Sequence, residues 1–235
     1  MNIIVTGASR GIGYELVKQF STISGARILA VSRNEQQLLK LKKECAGSKA
    51  EVIPVPADLS DPNLCSAVLL PQIKKHISHL DILVNNAGAI VNKPFKDLSP
   101  QDIQSVYNVN VFSVMNLIKD LLPLMGGANP SHIINISSMG GFQGSMKFPG
   151  LSAYSSSKAA VACLSECLAE EFKDMNIAVN CLALGAVQTE MLAEAFPGYK
   201  APLKPEEMAT FIADFAQNGH KFMNGKTLPV SLSTP

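Results

Sequence analysis

Tyr154 and Lys158 stand four positions apart, a spacing that puts a phenol and an ammonium on one helix face, one turn from each other. A phenol of pKa ~10 is mostly neutral at pH 7, and a neighbouring cation lowers that value. The pair could therefore pass a proton to or from a substrate oxygen. Ser138 lies 16 residues earlier. Its hydroxyl could bond the same oxygen and steady developing negative charge. Tyr-x-x-x-Lys also arises by chance on many helices, and a serine-rich run can simply cap one. These three residues gain weight only from the elements that position them.

The first such element is at the chain start. Thr6-Gly7-Ala8-Ser9-Arg10-Gly11-Ile12-Gly13 joins a predicted strand to a predicted helix. Glycines allow a tight turn and a close approach of backbone N–H groups to a diphosphate, and the helix N-terminus adds unpaired donors and a favourable dipole. A turn that merely needs small residues is the plainer reading, but three glycines in seven positions directly after a strand favour a nucleotide.

The end of the second predicted strand reads Ser32-Arg33-Asn34, with no acid before Glu35. An NAD site usually carries an acid there, about 20 residues past the glycines, to hold the ribose 2′-hydroxyl. Arg33 can instead pair with a 2′-phosphate, and Arg10 could approach the same group. NADP(H) is the cofactor these residues favour; solvated surface charge is the alternative for each arginine.

Further polar residues fall at other strand ends, where ligands of open parallel sheets collect. Asp58 could accept from an adenine amino group or simply shape a turn. Asn85-Asn86-Ala87-Gly88 offers small residues and amides where a cofactor would pass, though the same residues favour an Asx-turn. Asn110 lies inside a predicted helix, either exposed or buried with its amide serving a neighbour.

Short apolar runs at 2–6, 27–32, 51–56, 81–85, 132–138, 177–184 and 226–232 alternate with stretches of helical period. This is the pattern of a parallel sheet with crossover helices. Ile82-Leu83-Val84 and Ile133-Ile134 barely alternate, as strands covered on both faces do. Helices are predicted over 11–21, 35–45, 62–76, 99–121 and 152–174, with a last one after Pro205. Asp61-Pro62 and Ser99-Pro100 supply cap-plus-proline starts, and Asp102 completes an acid three residues after Ser99. No repeat or linker divides the chain. The expected fold is α/β, one Rossmann-type doubly wound parallel β-sheet with helices on both faces, over residues 1–235.

Composition narrows the function classes. The 235 residues are 47% hydrophobic and 17% charged, with a formal net charge of +1, so the balance gives no bias toward nucleic acid or an anionic membrane. Cys45, Cys65, Cys163, Cys167 and Cys181 form no CxxC pair and no metal-ligand spacing. Scattered thiols suit a reducing compartment. No run approaches a membrane span, and the start does not read as a signal peptide. A cytoplasmic protein without a metal is expected.

Taken together and in this order, the glycine loop, Asn85–Gly88 and Tyr-x-x-x-Lys resemble the short-chain dehydrogenase/reductase family, over about residues 3–189. The resemblance implies Asn110, Ser138, Tyr154 and Lys158 as the catalytic set, with Asn110's counterpart ordering a water that links the lysine to solvent. It implies cofactor contacts from Gly7, Ser9, Arg10, Gly11, Ile12, Gly13, Arg33, Asp58, Asn86, Ala87 and Gly88. Tyr154, Lys158, Gly185, Val187 and Thr189 complete that set, with Lys158 on the nicotinamide ribose and Thr189 on its amide. It also implies a homodimer or homotetramer through the helices at 102–121 and 152–174. The implied activity is reduction of an aldehyde, ketone or 3-oxoacyl group by hydride transfer from NADPH. A pteridine or acyl-carrier reductase of the same family, or a non-catalytic NADPH-binding sensor or scaffold, are the alternatives. Three features depart from the family pattern. Ser138 and Tyr154 are about three residues farther apart than the family's usual thirteen, which assigns residues 141–150 to shaping the substrate pocket. Leu184 replaces a common proline before Gly185. The segment 190–205 is short for a substrate cover, which implies an open pocket, and Val230-Ser231-Leu232 stands where Asp-Gly-Gly is usual.

Overall fold

Seven short runs of β-branched and aliphatic residues become the strands of one sheet in the computed structural model, which describes residues 1–61 and 69–232. They are β1 (Asn2–Thr6), β2 (Arg27–Ser32), β3 (Glu51–Pro56), β4 (Ile82–Asn85), β5 (Ser131–Ser138), β6 (Ile177–Leu184) and β7 (Thr227–Val230). All neighbours pair in parallel, in the order β3-β2-β1-β4-β5-β6-β7. Successive side chains of a strand point to opposite faces, and here both faces are covered. Ile3, Val5, Ile28, Ala30, Val84 and Ile134 enter one core. Their neighbours Ile4, Leu29, Val31, Leu83 and Ile133 enter the other. This is why the runs scarcely alternate in polarity.

Helices fill the connections. On one face lie α1 (Gly11–Phe20) and α2 (Glu35–Glu44), and α8 (Pro205–Asn218) joins the same core. On the other lie α3 (Leu70–His76), α5 (Ser113–Leu121) and α6 (Ser152–Glu171). The expected Rossmann-type doubly wound architecture is therefore the observed one. Strand order reverses between β1 and β4, so the helices that follow these two strands lie on opposite faces, and a crevice is expected at the sheet's carboxyl edge there.

Local signals set many boundaries. Ser99 and Asp102 form a reciprocal capping box at the start of α4 (Pro100–Tyr107), with Pro100 in its first turn. Asn34 caps α2 by accepting from Gln37 N at 3.1 Å. Pro62, the first part of the helix expected to follow the Asp61 cap, and Cys65 lie outside the described residues. Two differences matter for the site. The single helix expected over 99–121 runs through, but with a π turn at Asn108–Phe112 inserted between α4 and α5 (Ser113–Leu121). A short helix, α7 (Glu190–Ala195), for which no helix was expected, begins the segment expected to be a short substrate cover. Thr189 caps it through its hydroxyl, accepting from Leu192 N at 3.2 Å. Thr189-Glu190, a cap followed by a first-turn acid, was the available signal.

Candidate active site

The two motifs of the crevice hold each other. Thr6 Oγ1, at the end of β1, accepts from the backbone N–H groups of Asn86 and Ala87, both at 3.0 Å. Asn86 Nδ2 donates back to Thr6 O at 2.9 Å. Gly7 takes φ +67°, and a methyl group there would stand 2.8 Å from Ala87 Cα. A methyl at Gly13 would overlap the Gly7 carbonyl. Glycine is thus required for the loop to close on itself and on the β4 end, and the Asn86 amide serves that closure. Beneath it, Asn85 Nδ2 donates to Asn135 Oδ1 at 2.8 Å and Asn135 Nδ2 to Ser165 Oγ at 2.9 Å. This buried ladder ties β4 to β5 and α6. The sequence reading did not single out Asn135 or Ser165.

Across the crevice, β5 and α6 deliver the proposed chemical groups. The Tyr154 phenol stands beside the Ser138 side chain. Ser138 Oγ accepts from Gly140 N at 3.1 Å. Lys158, buried, donates from Nζ to Ile136 O at 2.8 Å and lies 5.9 Å from the centre of the Tyr154 ring. Its own carbonyl accepts from Ser137 Oγ at 2.8 Å. A methyl at Gly141 would come within 2.6 Å of the α6 backbone at Lys158 and Ala159. The turn after β5 and α6 can approach this closely only with glycine there.

Asn110 sits in the π turn, buried, and its side chain is fully engaged. Oδ1 accepts from Ala89 N at 2.8 Å, and Nδ2 donates to Ala89 O and to Ser157 Oγ, each at 2.9 Å. Ser157 Oγ in turn donates to Tyr154 O at 2.6 Å. Of the two sequence readings, the buried one is observed. A side chain attached at Gly88 would meet Lys158 Nζ at 3.5 Å and Asn110 Oδ1 at 3.6 Å, so these groups converge behind that glycine. Ser157 was missed because Tyr-Ser-Ser-Ser-Lys looks like one polar run; only burial separates it from its neighbours.

The electrostatics differ from the sequence expectation in one respect. Burial lowers Lys158 to about 8, because an ammonium loses its hydration there. Burial also raises Tyr154 above its ordinary value, with the neighbouring Ser138 opposing. The expected lowering by the lysine is overturned: desolvation of the phenolate is the largest influence on Tyr154, and it raises the value.

The cofactor candidates are less uniformly gathered. α1 begins at Gly11 with no side-chain cap and no acid in its first turn, which leaves its leading N–H groups suited to a diphosphate. Ser9 and Ile12 flank that end in the same loop. Arg33 Nη1 lies 4.0 Å from Asp58 Oδ2, so these two meet at the β2–β3 edge. Asp58 Oδ1 accepts from Ser60 N at 2.9 Å and Ser60 Oγ at 2.7 Å, the turn role weighed for it. Arg10 is instead paired with Glu194 at 2.6 Å. After β6, Gly185 N donates to Val230 O at 2.9 Å, and Val187 bridges Leu203. An uncapped helix end, two arginines and an acid at adjoining strand ends fit an adenine dinucleotide with a 2′-phosphate. Among the described residues no group of three or more His, Cys, Asp or Glu gathers to hold a metal.

Residues 1–200 match the model of the short chain dehydrogenase family. The chain belongs to the short-chain dehydrogenase family. Among its relatives, 3-oxoacyl-[acyl-carrier-protein] reductase FabG of Thermotoga maritima is 30% identical, over 97% of this chain and 94% of that one. Dehydrogenase/reductase SDR family member 7B of Mus musculus is 34% identical over 82% of this chain, and the match spans 59% of that longer protein. Among solved structures, the Pseudomonas aeruginosa RhlG/NADP active-site complex superposes with a TM-score of 0.87, at 29% identity over 98% of this chain and 94% of that one. The short-chain dehydrogenase resemblance read from the motifs is thus the family found by comparison.

Proposed function

We propose that this short-chain dehydrogenase uses NADP(H) to reduce an aldehyde, ketone or 3-oxoacyl group to the alcohol, with Tyr154 as general acid in reduction and general base in reverse. The observation that carries the reading is Tyr154 placed beside Ser138, with Lys158 Nζ 5.9 Å from the centre of the same ring. Relatives point the same way: one is named for 3-oxoacyl reduction and one neighbour was solved with NADP.

Bound NADPH supplies the hydride. The chain's residues position the carbonyl and manage the proton. Ser138 donates a hydrogen bond to the carbonyl oxygen, and Tyr154 gives its proton to that oxygen as negative charge develops. Lys158, charged below about pH 8, favours the phenolate left on Tyr154. The residues that would hold the cofactor are Gly7, Ser9, Gly11, Ile12 and Gly13 at the diphosphate and Arg10 and Arg33 at the 2′-phosphate. Asp58 would take the adenine, Asn86, Ala87 and Gly88 the middle of the crevice, and Lys158, Gly185, Val187 and Thr189 the nicotinamide end. The 141–150 segment walls a cavity of about 690 Å³ lined by Phe95, Phe148 and Leu151, among others. Neither Tyr154 nor Ser138 lines it.

The test is a panel of aldehydes, ketones and 3-oxoacyl thioesters with NADPH and NADH in parallel. Turnover with NADPH is expected; binding of NADPH without turnover on any member, or a strong NADH preference, overturns the reading. No described helix is long and apolar enough to cross a membrane. We also propose that the whole chain acts as one cofactor-binding domain in a homodimer or homotetramer. Phe95, Ile103, Phe112 and Met115 leave an apolar surface along and beside α4 and α5, and light scattering reads the assembly directly.

A further inference from the structure

The cation assigned above to a 2′-phosphate already has a partner within the chain. Arg10 holds Glu194 through both terminal nitrogens, Nη1 to Oε1 at 2.6 Å and Nη2 to Oε2 at 3.3 Å. A two-pronged contact of this kind uses the same planar fork of N–H donors that a phosphate takes. The partners are 184 residues apart. Arg10 leads into α1 from the glycine loop, and Glu194 lies on α7, in the segment that follows β6.

α7 is pressed against the glycine loop at its other end too. A methyl at Gly11 would lie 3.3 Å from Thr189 Cγ2 and 3.5 Å from Glu190 Oε2. A second carboxylate, one turn before Glu194, therefore reaches the first residue of α1, the end that carries no acid of its own. Carboxylates of the chain stand at the helix end where cofactor phosphates are expected. The far end of α7 is tied to the substrate side. Asn92 Nδ2 donates to Ala195 O at 2.9 Å, and the next residue, Lys93, donates its N–H to Gly150 O at 3.0 Å.

We propose that Glu194 is a built-in competitor for the 2′-phosphate subsite, so that NADP(H) binds by taking Arg10 from it and in doing so releases α7 from the glycine loop. This inference rests on the reading of Arg10 as a 2′-phosphate residue. NAD(H) presents a hydroxyl in place of that phosphate and leaves the bridge closed. Selectivity between the two cofactors is then set by a pair in opposition, Arg10 favouring NADP(H) and Glu194 restraining it. Because α7 also holds Asn92, 2′-phosphate recognition is linked mechanically to the loop that meets the 141–150 segment.

Both partners are substantially exposed, with side-chain accessibilities of 49% and 63%. The competition is accordingly modest, about two- to five-fold in affinity. Calorimetric titration of NADP+ and NAD+ into wild type, Glu194→Gln, Arg10→Ala and the double variant tests it. Glu194→Gln is expected to tighten NADP+ by that factor and leave NAD+ unchanged, and to lose its effect in the Arg10→Ala background. Glu190→Gln removes an equal charge from the same helix without breaking the bridge, and should shift both nucleotides alike. Amide exchange over 190–195 in the nucleotide-free protein should be faster in Glu194→Gln than in wild type. Unchanged or weaker NADP+ binding in Glu194→Gln, or an equal gain for NAD+, overturns the competitor role. Unchanged NADP+ affinity in Arg10→Ala instead overturns the assignment of Arg10 beneath it.

Discussion

Lys158 donates from Nζ to the carbonyl of Ile136 at 2.8 Å. The lysine beneath the proposed proton donor is therefore anchored to the strand that ends in Ser138, and the three groups of the site share one rigid frame. β5 fixes Ser138 and the Lys158 acceptor, while α6 carries Tyr154 and Lys158 across it. The same burial that gives this frame its rigidity strips hydration from both ionisable groups, and the pH behaviour follows from that.

Lys158 titrates at about 8, where a solvated lysine is charged to above 10. The ammonium that favours a Tyr154 phenolate is present below about pH 8 and lost above it. For reduction, kcat/KM should fall about tenfold per pH unit once pH exceeds about 8, in a profile measured at saturating NADPH. A plateau extending past pH 10 would show that Lys158 stays charged in the working enzyme.

Removing the Tyr154 hydroxyl removes the proton source but not the cofactor cleft. Tyr154→Phe should lower kcat by about 10²- to 10⁴-fold, the span of general acid–base catalysis, with NADPH affinity retained by titration. Undiminished turnover in this variant would exclude Tyr154 as the acid.

Asn110, Ala89 and Ser157 form a closed polar group under the site. Asn110→Ala leaves the Ala89 N–H and C=O without their partner, at a cost of about 1–3 kcal/mol for each buried polar group so exposed. Urea denaturation should show the loss, and a double-mutant cycle with Ser157→Ala should give a coupling of about 1 kcal/mol. Strict additivity would mean the Asn110–Ser157 bond contributes nothing.

His132, in β5, accepts at Nε2 from Asn180 Nδ2 at 3.0 Å and faces Ala216 O from Nδ1 at 3.0 Å, which places its proton on Nδ1. Burial lowers it to about 4 from the ordinary 6.5, opposed by the Ala216 bond. Between those values the unfolded chain binds a proton that the native chain refuses, so stability falls as pH drops from about 6.5 to 4. The loss reaches about 3 kcal/mol at the lower end. Wild type and His132→Gln compared by urea melts at pH 7 and pH 4.5 should show a steeper acid loss in wild type. Equal losses would assign the acid sensitivity elsewhere.

Much of this architecture is legible locally. The β1, β2, β3 and β6 bounds follow from apolar runs, and Ser99 with Asp102 announces its helix through a reciprocal cap that needs no distant partner. The π turn at Asn108–Phe112 is not legible, because Asn110 is held there by the backbone of Ala89, 21 residues away. Glu194 carries no local mark at all; it is one acid on a short helix until the fold brings it to Arg10.

The sequence alone determined which chemistry is available: a glycine loop after a strand, a hydroxyl at a strand end, and a phenol and an amine one helical turn apart. Those are decided by residue type and short spacing. Tertiary structure decided how these groups are tuned and what restrains them. It raised Tyr154 where the spacing to Lys158 implied lowering, turned Asn110 inward, and gave Arg10 an internal anion. Desolvation and the meeting of distant residues are properties of packing, and no window of the chain contains them.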